Sequence, residues 1–247
     1  MTDHVSRLRR VLHGEGPALV VELTGNSMEL ARAAQEAGAD SVIGQLHYEH
    51  PVTHTYTGGL ELEMSQIREM AAGLAIPVGV HVGNQSRLTR QEWEELLRAG
   101  LDYVCANIAA APPYVLSDGG VPKILYVRVG IPVEQYRGLG TFEGLEAILF
   151  EPLSQVQPEP QVRFNALDVV NTESLSKACP LPVLFKASQD LEPEDVGLLM
   201  RRGCGGLVLD PGYTGSTAEH FKVTTEIFRK ALVGTKRPRF MGYDLWG

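Results

Sequence analysis

Residues 18–47 read ALVVELTGNSMELARAAQEAGADSVIGQLH, and the fold is decided by how this stretch is divided. It opens on an apolar run, ALVVEL, passes through a polar loop into an amphipathic segment, and reaches a second apolar run, SVIGQLH. Runs this short, rich in Val, Ile and Leu, fit parallel strands buried on both faces. The segment between them has helical spacing, with Ser27 where an N-cap is wanted and Gly38 where the helix must stop. The stretch is therefore a strand–helix–strand unit.

The same unit recurs outward from there. Further apolar runs are PVGVHV (77–82), DYVCANI (102–108), KILYVRV (123–129), LEAILFEP (145–152), PVLFKAS (182–188) and GLVLDP (206–211). Helical segments are read at 27–37, 60–73, 89–99, 193–202 and 217–232. Thr89 and Glu92 have capping-box spacing, as do Ser216 and Glu219, and Pro193 suits a first helical turn. Residues 109–122 read as loop. The helix after the fifth run is broken by Gly138, Gly140 and Gly144. Residues 161–170 are read as the start of the sixth helix rather than an extra strand, because the count then closes at eight. Eight such units predict an α/β fold, a single (β/α)8 TIM barrel. The 247 residues fit one domain of that kind. Residues 1–13 are expected to form a short helix capping the barrel floor, and residues 234–247 a tail.

The chain is 44% hydrophobic and 21% charged, with a net charge of −8, an ordinary composition for a soluble globular protein. An acidic balance argues against a nucleic-acid or anionic-membrane binder, which needs clustered Lys and Arg. Cys105, Cys179 and Cys204 are scattered and form neither a disulfide framework nor a zinc spacing. The N-terminus lacks the apolar core of a signal peptide, and no apolar window is long enough to span a bilayer. A cytoplasmic location is expected.

Alternation along the strands sorts side chains into two sets. One set is apolar and faces the helices: Leu19, Val21, Leu23, Val78, Val80, Val82, Leu125, Val127, Val129, Val183, Phe185, Leu207 and Leu209. The other ends in polar residues at the C-terminal ends of the strands: Glu22, Gln45 with His47, His81, Asn107, Arg128, Glu151, Lys186 and Asp210. That end is where barrel enzymes place their active sites. Lys186 falls between Glu151 and Asp210 in strand order, and Asp210 neighbours Glu22 across the closure. Two uses of Lys186 follow: a charged electrophile, or an amine of lowered pKa serving as base or imine former. A purely structural ion pair fits the same pattern. The carboxylates would move protons, Arg128 would clamp an anionic group, and Asn107 and Gln45 would bind substrate.

The segment HYEHPVTH (47–54) starts at the end of the second strand. His47 and His81 come from adjacent strands, so both are candidate acid/base groups. With Glu22 or Glu49 they would form a two-His, one-carboxylate metal site, although the loop has no local metal-ligand grammar. No cofactor is expected on the main reading, and a divalent metal on this alternative. After the eighth strand, DPGYTGST (210–217) offers Gly212, Gly215, Ser216 and Thr217 ahead of a helix N-terminus, a candidate phosphate cradle. Gly25-Asn26-Ser27 and Thr57-Gly58-Gly59 carry weaker forms of that signal.

LEPEDVGLLMRRGCGGLVLD (191–210) and ELARAAQEAGADSV (29–42) resemble the phosphate-binding TIM-barrel superfamily. That group contains indole-3-glycerol-phosphate synthase, the tryptophan synthase α-subunit and N-acetylmannosamine-6-phosphate epimerase. The resemblance covers the first and last quarters of the chain and is not specific to one member. It implies phosphate binding by the loops after strands seven and eight. PGYTGST fits, whereas KASQDL after strand seven has no glycine. The expected function is a lyase or isomerase acting on a small anionic, phosphorylated carbonyl or sugar metabolite. The rivals are a metal-assisted aldolase or hydrolase using His47 and His81, and a non-catalytic metabolite-binding barrel. A homo-oligomer is left open by the tail at Phe240–Trp246, which suits its own subunit or another equally.

Overall fold

The computed structural model describes residues 6–49, 54, 56–83, 88–152, 164–187 and 190–236. Eight parallel strands close on themselves: β1 (Ala18–Glu22), β2 (Ser41–Leu46), β3 (Val78–Val82), β4 (Tyr103–Asn107), β5 (Lys123–Arg128), β6 (Leu145–Glu151), β7 (Val183–Ala187) and β8 (Gly206–Leu209). Each pairs with its neighbours in the chain, and β8 returns to β1 in the register Ala18↔Gly206 through Val21↔Leu209. This is the (β/α)8 barrel expected from the pattern.

The period-two alternation divides the core into two shells. Leu19, Val21, Val80, Leu125, Val127, Phe185 and Leu207 point outward and pack with Ile67, Trp93, Leu199 and Phe228 of the surrounding helices. Val20, Ile43, Cys105, Ile124, Leu149, Leu184 and Val208 point inward and fill the axis. Helix α1 (Arg7–Leu12) presents Leu8 and Leu12 to that inner cluster and closes the floor. Arg7 pairs with Asp102 at 3.1 Å and Arg9 with Glu146 at 3.6 Å. Burying two leucines contributes on the order of 3–6 kcal/mol against the entropy of ordering this short helix.

Among the described residues the outer helices are α2 (Met28–Glu36), α3 (Leu60–Gly73), α4 (Arg90–Leu97), α5 (Pro113–Ser117), α6 (Ala166–Ala178), α7 (Val196–Arg201), the single turn α8 (Pro211–Thr214) and α9 (Ala218–Leu232). Ser27 caps α2, and Thr89 and Glu92 form the capping box of α4. Gly38, Gly100 and Gly203 take positive φ after α2, α4 and α7, as a helix stop requires.

Several expectations are corrected. Residues 109–122 are not all loop, because Pro113 starts the short α5 at a position that suits proline. After β5 the chain forms a 3-10 helix over Val133–Thr141, where Gly138 and Gly140 weaken an α-helix. The sixth helix starts at Ala166 on a capping box of Asn165 with Asp168. At the last helix the cap is Thr217, whose side chain accepts from His220 N, and not Ser216. Residues 161–163 and most of the expected tail, 237–247, lie outside the described residues. No helix among the described residues is long and apolar enough to cross a membrane.

Candidate active site

Four strand ends converge on one point. The ammonium of Lys186, on β7, lies 3.1 Å from Asp210 Oδ2, 3.2 Å from Glu22 Oε2 and 3.5 Å from Glu151 Oε1. Glu22 closes β1, Glu151 closes β6 and Asp210 follows β8, so neighbouring strands aim all four groups into the mouth. Lys186 is 2% exposed and Glu22 fully buried. Burial disfavours the charge on Lys186, but Glu22 and Asp210, then Tyr48 and Glu151, outweigh it and hold the lysine pKa well above its ordinary value. The amine is therefore an ammonium. Arg128, the partner of Glu151 in the β5–β6 register, donates from Nε to Glu151 Oε2 and reaches outward with its side chain 41% exposed.

Beside this cluster lies an aromatic wall. The ring of Tyr126, on β5, has Lys186 Nζ 5.4 Å from its centroid and stacks on His81 at 4.3 Å. His81 and Gln45 are register partners on β3 and β2, and His81 Nδ1 lies 3.1 Å from Gln45 Oε1. Burial, then the charges of Lys186 and Arg128, pushes the His81 pKa down to about 3, so this imidazole is neutral. Tyr48 closes the group, edge-on to His81 at 5.2 Å. Burial raises the Tyr48 hydroxyl pKa, with Lys186 opposing and Glu22 assisting.

Gln45 is itself fixed from outside the barrel. Asn26, in the loop after β1, accepts from Gln45 N at 2.9 Å and donates to Gln45 O and Glu63 Oε2, both at 2.8 Å. Glu63 in turn accepts from Gly58 N at 3.0 Å. The two weak glycine signals, Gly25–Ser27 and Thr57–Gly59, thus lie in a staple between the β1 and β2 loops. Asn107 ends β4 and accepts from Ala109 N at 2.8 Å, turning the chain there.

His47 is placed differently from the expectation. It adopts φ 48°, which ends the strand alternation and turns its ring outward to Glu92 on α4, with Nε2 at 3.2 Å from Oε1. The inward position passes to Tyr48. His47 and His81 therefore do not share a site. Among the described residues no group of three His, Cys, Asp or Glu is arranged to hold a metal. The point where the carboxylates meet carries the Lys186 ammonium, where a cation ligand set would need open space.

The candidate phosphate cradle is also partly committed. Asp210 accepts from Gly212 N at 2.8 Å and caps α8, and Gly215 N donates to Pro211 O at 2.9 Å. Thr217 caps α9, and Ser216 is exposed. Tyr126 and Tyr48 join the site without being among the polar residues that the strand ends single out. Tyr126 has inward parity, two residues before Arg128, and was legible; Tyr48 was hidden by the left-handed turn at His47.

No family model matches the chain, and no curated protein matches its sequence. Solved structures do match in shape. A mutant form of the tryptophan synthase α-subunit from Pyrococcus furiosus superposes with a TM-score of 0.67 at 12% identity, covering 87% of this chain and 98% of that one. The tryptophan synthase complex of the same organism gives 0.67 at 13% identity, with 87% and 99% coverage. At that identity the likeness is one of fold, and the protein is a (β/α)8 barrel of the shape seen in tryptophan synthase α-subunits.

Proposed function

We propose that the protein is an enzyme of the lyase or isomerase type that moves a proton on a small carbonyl compound. The observation that carries this reading is the buried Lys186 ammonium with Glu22, Glu151 and Asp210 within 3.5 Å at the C-terminal end of the barrel. Burying such a cluster costs more than an apolar core of the same size, so structure alone is a weak reason for it.

The chemistry follows from the charges. Three carboxylates face two cations, Lys186 and Arg128, so the cluster holds one negative charge in excess. Glu22 or Asp210 takes the proton from the carbon next to the carbonyl: the C–H bond breaks, an O–H forms on the carboxyl, and the electron pair moves to the carbonyl oxygen. Neutralising that carboxylate releases the Lys186 ammonium to hold the oxygen's new negative charge. Return of the proton to the same or another carbon completes an isomerisation, and expulsion of a β-substituent gives a lyase. An imine route needs the free amine, which the raised Lys186 pKa opposes. The exposed end of Arg128 is the contact for an anionic group such as a phosphate at the rim.

Deuterium incorporation from D2O into a panel of small carbonyl compounds, phosphorylated and not, tests the proposal by NMR. The wild type exchanges a carbon-bound proton in at least one, and the isosteric Glu22→Gln, shown to be folded, loses roughly 100-fold or more. Specific binding across the panel without exchange in any compound would replace the enzyme reading with that of a binding protein.

A further inference from the structure

Three polar atoms in the barrel mouth, His81 Nε2, Gln45 Nε2 and Tyr126 Oη, are buried and have no hydrogen-bond partner among the described residues. Their residues are 2%, 1% and 2% exposed. Buried polar groups are normally paired, so three unpaired ones in one contiguous group, joined by the Gln45–His81 bond and the His81–Tyr126 stack, point to a polar ligand as their partner.

The pair's chemistry does not depend on how the side-chain amide is turned. With Gln45 Oε1 facing His81, Nδ1 carries the imidazole proton, leaving Nε2 as an acceptor beside the Gln45 NH2 donor. With the amide turned over, NH2 donates to Nδ1, Nε2 carries the proton, and Oε1 is the open acceptor. Either way one donor and one acceptor stand side by side. The Tyr126 hydroxyl adds a group that both donates and accepts.

We infer that Gln45, His81 and Tyr126 form a subsite that reads an uncharged hydroxyl-bearing end of the ligand, of the hydroxycarbonyl or polyol class. A hydroxyl donates and accepts at once and satisfies the pair. A phosphate or carboxylate oxygen only accepts and would leave the acceptor of the pair opposed to it. The carboxylates nearby also outnumber the cations, which disfavours an anion at this depth. The inference rests on the proposed function for the reacting cluster alongside, and it places any anionic group of the substrate away from this subsite, toward Arg128.

Binding to protein labelled with 15N in histidine tests this without turnover, reading the His81 ring nitrogens, assigned by their loss in His81→Gln. Dihydroxyacetone is expected to move the His81 Nε2 signal saturably, while acetone, which lacks the hydroxyls, and inorganic phosphate do not. Tyr126→Phe keeps the stacked ring and removes only the hydroxyl, and it is expected to weaken dihydroxyacetone about tenfold, one hydrogen bond's share. Gln45→Met, checked for folding by its thermal transition, is expected to do the same. Equal response to acetone, a saturable shift with phosphate alone, or no saturable shift with dihydroxyacetone overturns the inference, the last leaving buried water as the occupant. Saturable binding without deuterium exchange would sink the proposed reaction and leave the subsite standing.

Discussion

His47 Nε2 lies 3.2 Å from Glu92 Oε1, so the turn after β2 is tied to the first turn of α4. The same carboxylate accepts from Thr89 N and Thr89 Oγ1 at 2.8 Å, so the helix cap and the anchor of the loop share one residue. His47 holds a left-handed backbone there, and that turn delivers Tyr48 to the site.

Substitution at His47 separates backbone from side chain. His47→Val places a β-branched residue at φ 48° and is expected to be less stable than His47→Gly by about 1–2 kcal/mol in urea denaturation. The imidazole–carboxylate contact is partly exposed, so a double-mutant cycle of His47→Asn with Glu92→Gln should give a coupling below about 1 kcal/mol.

Removing the central cation exposes the cost of its partners. Lys186→Met is expected to lose about 3–5 kcal/mol at neutral pH, because Glu22, Glu151 and Asp210 lose the ammonium they share. Adding Asp210→Asn should recover part of it, measured by chemical denaturation. In the wild type the folded pKa of Lys186 is raised. Its contribution is thus complete below the unfolded value, about 10.4, and falls as pH rises from there toward the folded pKa. An alkaline stability profile of wild type against Lys186→Met checks the sign.

His81 works in the opposite direction. With its folded pKa lowered to about 3, the stabilisation from a neutral buried imidazole is complete above the unfolded value, about 6.5, and declines as pH falls toward 3. Wild type should lose stability relative to His81→Gln across that interval, by at most about 1.4 kcal/mol per pH unit. The His81 ring signals should show no protonation between pH 7 and pH 5; a midpoint near 6 would contradict the burial argument.

Gly79 pairs with Tyr103 across β3 and β4, and a Cβ there would stand 2.2 Å from Tyr103 Cε2. The tyrosine lies over the glycine and its hydroxyl is held by Ser41 Oγ at 2.7 Å and Val42 O at 3.1 Å, so the ring has little room to yield. Gly79→Ala is expected to cost about 1–3 kcal/mol, read as a lower thermal midpoint.

The barrel was legible because its signals are local and repeated: apolar runs of strand length, caps, and glycine stops. The inward parity of Glu22, His81, Arg128, Glu151, Lys186 and Asp210 followed from the same alternation, since nothing interrupts it before each strand ends. It misplaced His47, because one residue at positive φ shifts every side chain after it. The sequence of the strand-eight loop suggests open N–H groups, yet Asp210 folds back on Gly212, a choice made by side-chain bonding that composition does not encode. The weakly written region after β5 became a 3-10 helix, where glycine spacing forecast weakness but not the form it would take.

Leu8 and Leu12 stopper one end of the barrel and the inner layers fill its axis, so among the described residues the floor gives no passage to the strand ends opposite. On the proposed reading, reactant and product would then share the opposite rim. A product that dwelt there would throttle the next arrival by simple obstruction.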